Sequence, residues 1–328
     1  MKIKLLLSTA ILSCFLLPVS AQDQPALILS KTIPLPDFQG GFNHLSVDAG
    51  HRRLFVTAPA SKTLEIIDLN SGKLWRSLPG EKPAAALFAP EFNQLYVTRG
   101  QKVCLYDGTN FNLLASVDLK CGLDELQYDP KAGRLYVGCM TSNQTAIAII
   151  SIPDGSPKGI IKLPAKPKGF VVEKNGSRIF ANLPGLQQIA VLDREKQVLL
   201  AAWPLKDVSA NYPIALDESN HRLFVGCRRP AQLVVLDTLT GAPVTGVPIS
   251  GDTDDLSYDA AHNRVYIASG EGFLDVIEQL DANHYRLRER IQTREGARNS
   301  VFPPTLNEFY LAVPPYGKQP AEIRVFDP

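Results

Sequence analysis

One short run constrains this chain more than any other feature. Aliphatic, aromatic and aliphatic residues recur seven times behind a polar turn: Leu54-Phe55-Val56, Leu95-Tyr96-Val97, Leu135-Tyr136-Val137, Ile179-Phe180-Ala181, Leu223-Phe224-Val225, Val265-Tyr266-Ile267 and Phe309-Tyr310-Leu311. The aromatic members lie 41, 40, 44, 44, 42 and 44 residues apart, a period at which one supersecondary unit is copied around an axis.

Each unit reads as four short strands. The first closes on an acid or a proline before a turn, at 45–48, 87–90, 126–129, 170–173, 214–217, 256–259 and 300–303. The second is the aromatic run. The third alternates and usually ends on an acid, as at 64–68 and 233–237, and the fourth follows a turn rich in Gly, Asn and Asp, as at 74–78 and 159–163. Short strands and turn residues at such regular spacing signal antiparallel sheet, and nothing of helical period competes. A four-stranded sheet cannot bury both faces alone, so the expectation is an all-β, seven-bladed β-propeller with four antiparallel strands per blade. The last unit stops after its third strand, while a lone fourth-strand sequence at 29–35 precedes the first unit. Pairing the two closes the ring and hides an open edge.

The first 21 residues read differently. Lys2 and Lys4 precede an apolar stretch at 5–17, and Val19-Ser20-Ala21 supplies small residues at cleavage spacing, so 1–21 is expected to be a secretory signal peptide and 22–328 the propeller. Ile11-Leu12-Ser13-Cys14 loosely resembles a lipobox, which leaves a lipoprotein as the alternative. No second apolar run approaches the ~20 residues of a membrane span. The expected location is therefore periplasmic or secreted.

The formal charge of +1, less Lys2 and Lys4, becomes −1. Such a balance gives no bulk electrostatic reason for nucleic acid or anionic membrane as partner. Even the run Arg286, Arg288, Arg290 and Arg294 reads as a solvated outer strand. A closed ring needs no second subunit, so a monomer is expected. Among the cysteines beyond the signal, Cys121 and Cys139 bracket one hairpin and are the candidate pair in an oxidising compartment. Buried free thiols are the alternative, because sequence does not fix connectivity.

Arg53-Leu54-Phe55-Val56-Thr57, Leu95-Tyr96-Val97-Thr98 and Leu233-Val234-Val235-Leu236-Asp237-Thr238 resemble the YVTN-type β-propeller repeat of exported bacterial proteins. No copy keeps the full Tyr-Val-Thr-Asn tetrapeptide, since Thr98 is followed by Arg99 and Gly138 by Cys139. The resemblance implies the fold and surface, binding or cofactor-associated roles, with no single activity. Propellers of similar outline include gluconolactonase-like and streptogramin-lyase-like enzymes, which use a divalent metal in the central channel.

In a propeller the starts of the first strands and the ends of the second strands ring the channel mouth. Four residues before each closing acid or proline stand His44, Ala86, Glu125, Gly169, Pro213, Asp255 and Asn299, and one further back stand Asn43, Ala85, Asp124, Lys168, Tyr212, Asp254 and Arg298. Blades six, seven and one are neighbours, so Asp255, Asn299 and His44 are expected to converge, with Glu125 reaching from across. That mixed nitrogen and oxygen set suits one divalent metal ion, with Asp254 or Asp124 as base in a hydrolase or lyase. The other reading is a non-catalytic channel face that binds a small molecule or a protein. Lys168, Arg228, Arg229 and Arg298 suit a carboxylate or phosphate group, or serve as rim ion-pair partners of Asp124, Asp254 and Asp255. No covalent-haem, nucleophile-elbow, His-Glu-x-x-His or phosphate-loop motif is present.

Overall fold

The computed structural model describes residues 24–328. The expected signal peptide at 1–21, and Cys14 with it, lies outside the described residues. The strands form seven four-stranded antiparallel sheets. Blades one to six occupy 45–79, 83–118, 122–163, 170–204, 209–248 and 253–292; blade seven combines Asn299–Val301, Phe309–Val313 and Ala321–Asp327 with the N-terminal strand Ile28–Leu35. Ile28 lies opposite Asp327 and Leu35 opposite Ala321, which is the expected ring closure. Ile33 and Leu35 of that strand are buried. First strands touch first strands all the way round, so they line the axis.

The repeated aromatics explain the stacking. Phe55, Tyr96, Tyr136, Phe180, Phe224, Tyr266 and Tyr310 are all buried. Each belongs to a cluster filled largely by the next blade: Phe55 meets Phe88, Leu95 and Val97, and Tyr310 meets Leu45, Leu54 and Val56 to close the circle. At about 1.5–3 kcal/mol for each buried large side chain, the seven form a major part of the core. The second strands are covered on both faces, which is why they read as continuous apolar runs. Beneath the first interface Arg53 ties Asp48 to the Gly108 carbonyl oxygen, with its guanidinium over Phe55, Phe88 and Phe111.

The acids that close the first strands are turn caps. Asp129 Oδ1 accepts hydrogen bonds from the backbone N–H groups of Lys131 and Ala132 at 3.1 and 3.2 Å, and Asp259 Oδ1 does the same for Ala261 and His262. An aspartate there satisfies turn donors that a strand cannot reach. Blade two departs from the expectation. Pro90 does not end a strand; it opens a 3-10 turn, Pro90–Phe92, and the strand stops at Ala89. Proline suits the first position of a helical turn because its missing N–H is not needed there. Tyr96 therefore pairs with Leu87, whereas Tyr136 pairs with Gln127. The position equivalent to Glu125 is Ala85 rather than Ala86, and the one behind it is Ala84.

Cys121 and Cys139 are disulfide-bonded, tying the residue before the strand Gly122–Asp129 to its partner Arg134–Met140. Cys104 and Cys227 are free and buried. Arg286, Arg288 and Arg290 lie on the outer strand Tyr285–Gln292, paired with Glu278 and Asp275. Arg294 lies past its end, held by Glu322 and the carbonyl oxygens of Pro314 and Pro320. Neighbouring acids thus absorb that run of charge.

Candidate functional site at the channel mouth

The alternation of a strand sends successive side chains to opposite faces. At the channel mouth that rule is suspended. The first strands carry register shifts between Leu123 and Leu126, between Asn211 and Ile214 and between Thr253 and Asp255. A β-bulge lets two consecutive residues turn toward the same side, and here Asp124 with Glu125, Tyr212 with Pro213 and Asp254 with Asp255 line one cavity of about 740 Å³.

Ten of the eleven expected site residues line it: Asn43, His44, Asp124, Glu125, Lys168, Tyr212, Arg228, Asp254, Asp255 and Arg298. Asn299 does not. It is 3% exposed and stands behind the acids, its Nδ2 3.3 Å from Asp255 and 3.4 Å from Asp254, so it orients them. Arg229 is exposed and faces a separate surface hollow.

The convergence of blades six, seven and one is real. His44 Nδ1 lies 3.1 Å from Asp255 Oδ1, with 23% and 14% of the two side chains exposed. Asp255 Oδ2 accepts the Ser300 backbone N–H at 2.9 Å. Burial works against a charged imidazole, but the charge and hydrogen bond of Asp255, with Glu125 and Asp254 nearby, outweigh it and lift His44 to about 10. His44 is an imidazolium at neutral pH. Glu125 moves the other way: burial pushes its carboxyl up to about 7, partly opposed by the His44 charge and the Gln127 amide. Burial and the adjacent Asp255 charge also raise Asp254, against the pull of His44, Arg228 and Arg298. For Asp124, burial is overcome by Lys168, His44 and Lys166, which hold it low.

The cations of the rim are spoken for. Lys168 and Lys166 lie 3.0 and 3.4 Å from Asp124. Arg228 lies 2.7 Å from Asp254 and 3.0 Å from Asp252, and Arg298 lies 2.6 Å from Asp252 and 3.6 Å from Asp254. Arg228 also sits 4.0 Å above the Tyr212 ring, a cation–π contact that fixes its plane. The ion-pair reading of the rim therefore holds for Lys168, Arg228 and Arg298, while Asp255 takes His44 as its partner. Asp252, Lys166 and Ser300 were not singled out from the sequence. Asp252 and Lys166 stand two residues before Asp254 and Lys168, on loops whose direction no strand pattern gives.

The donor set fits a metal poorly. His44 Nδ1 faces Asp255, both Asp255 oxygens are bonded, and both Asp254 oxygens have partners. Among the described residues no group of three or more His, Cys, Asp and Glu side chains is arranged to hold a metal ion.

No family model matches the chain, and no curated protein matches it. Solved structures do. A chain of hydrazine synthase from Kuenenia stuttgartiensis is similar with a TM-score of 0.76 and 14% identity, covering 88% of this chain and 96% of that one. A chain in the crystal structure of a mitotic checkpoint complex has a TM-score of 0.76 and 13% identity, covering 98% and 99%. At such identities the likeness shows the fold, and function has to be argued from the site.

Proposed function

We propose that the protein is an exported binding protein, YVTN-like, periplasmic or secreted, whose channel mouth holds a small polar ligand or a polar segment of a partner protein without transforming it. The observation that carries this reading is the 740 Å³ cavity whose wall is set in advance. Lys168, Arg228, Arg298 and His44 are each held by a carboxylate before any ligand arrives, and a preorganised wall loses little side-chain entropy on binding. A cavity of this size suits a small molecule. The metal-dependent hydrolase or lyase draws no support from the donors, since His44, Asp255 and Asn299 are bonded to one another.

A screen of small polar compounds by thermal shift tests the proposal on the full mature chain. A ligand at a hundred times its Kd stabilises by about 2.7 kcal/mol. The expected result is a raised Tm for the native protein and none for Gly41→Trp, which fills the cavity from a lining position where an added Cβ meets nothing within 4 Å. Equal shifts in both proteins would place binding elsewhere and overturn the proposal. So would a stoichiometric divalent metal in elemental analysis accompanied by turnover of a lactone or ester.

A further inference from the structure

Three of the four carboxylates on the cavity wall face a cation: Asp124 faces Lys166 and Lys168, Asp254 faces Arg228 and Arg298, and Asp255 faces His44. Glu125 is the exception. Among the described residues its one side-chain hydrogen bond comes from the Gln127 amide at 3.1 Å, and no Lys, Arg or His nitrogen lies at ion-pair distance. Yet it is only partly exposed, on the first strand of blade three, facing His44 from blade one and Asp255 from blade six. The one cation that acts on it, His44, is already bonded to Asp255, and a sheltered carboxylate with no cation of its own is costly in a folded protein.

A cavity lined by one carboxylate that holds no cation of its own describes the complement of a ligand that brings positive charge and N–H donors.

We infer that the channel mouth binds an organic ammonium group, with Glu125 as its counter-ion. This rests on the binding reading above and names its ligand class. A metal ion would have to strip Asp254 and Asp255 of the partners already described, whereas an N–H donor needs only the free lone pairs of Glu125. An anion meets the opposite difficulty, because Lys168, Arg228 and Arg298 already hold carboxylates. Lys82 at the cavity edge is exposed, and a pair formed there is worth little.

The test is isothermal titration calorimetry at pH 8 with n-butylammonium, 1-butanol, butyrate and calcium chloride as separate probes. Binding of n-butylammonium alone is expected. Glu125→Gln should weaken it about tenfold or more, the range for losing a charged hydrogen-bond partner. Circular dichroism establishes that the variant folds. If butyrate or butanol binds and n-butylammonium does not, the ammonium inference fails while the binding reading stands. If n-butylammonium binds equally to Glu125→Gln, or calcium binds in its place, the inference is overturned. If none of the probes binds and the wider screen also finds no ligand, both fall.

Discussion

Glu125→Gln offers a measurement in which the channel acid reports on itself. The folded carboxyl sits at about 7 against an ordinary 4.5. A folded pKa above the unfolded one means that the native state binds the proton more tightly between the two values. Stability tied to that proton is fully present below about pH 4.5 and is lost as pH rises toward 7. The gap amounts to about 3 kcal/mol at 1.36 kcal/mol per pH unit. Glutamine keeps the shape and the capacity to bond Gln127 but carries no charge to desolvate. The variant should therefore match the wild type at pH 4.5, gain across the interval, and hold its full advantage at pH 8. Unfolding entropy near 2.1 cal/mol/K per residue gives about 0.6 kcal/mol/K for a chain of this length, so the advantage is about 5 °C in Tm. Differential scanning calorimetry at pH 4.5, 6 and 8 reads it directly. A variant that melts at or below the wild type at pH 8, or that gains equally at pH 4.5, refutes the reasoning.

Three further outcomes follow from the fold. Deleting 28–35 removes the buried Ile33 and Leu35 and bares the edge of Ala321–Asp327; at about 1.5–3 kcal/mol per side chain the melt should fall by at least ~5 °C, and an unchanged melt would show that the ring closes some other way. Arg53→Ala strands Asp48, which is 2% exposed, and should cost about 3–5 kcal/mol, read as a lower urea midpoint; a loss under 1 kcal/mol would remove Arg53 as a fastener between blades. If the protein is exported as proposed, the denatured but unreduced chain should titrate two thiols, Cys104 and Cys227, because Cys121 and Cys139 are bonded. A third thiol would mean that Cys14 is retained and that cleavage after Ala21 does not occur.

The architecture was legible because it repeats. Seven aromatic runs, each between a capped turn and an alternating third strand, carry the same instruction seven times, and an error in one copy is corrected by the others. Blade two shows the limit. With proline where five of the other blades have an acid, counting back from the turn lands one residue off, and only the pairing of Tyr96 with Leu87 restores the register. That slip fell among alanines and left the candidate site intact.

The site was half legible. Position counting brought His44, Glu125 and Asp255 to one mouth, because side chains at equivalent places in a ring point to one axis. It said nothing of bulges, which depend on how each first strand meets its neighbour and which turn Asp124 and Asp254 inward beside the next residue. Nor did it separate Asn299, buried behind the acids, from the residues on the wall. The sequence by itself determined the number of blades, the strand order, the ring closure and the cast of charged residues at one end, since these follow from local period and turn chemistry. Only the tertiary structure decided which acid each cation holds, because pairs across the channel join residues that are far apart in the chain, such as His44 and Asp255, and their partners depend on distances of a few ångströms. That is also why Glu125, one carboxylate among several in the sequence, becomes the one on the cavity wall with no cation at ion-pair distance.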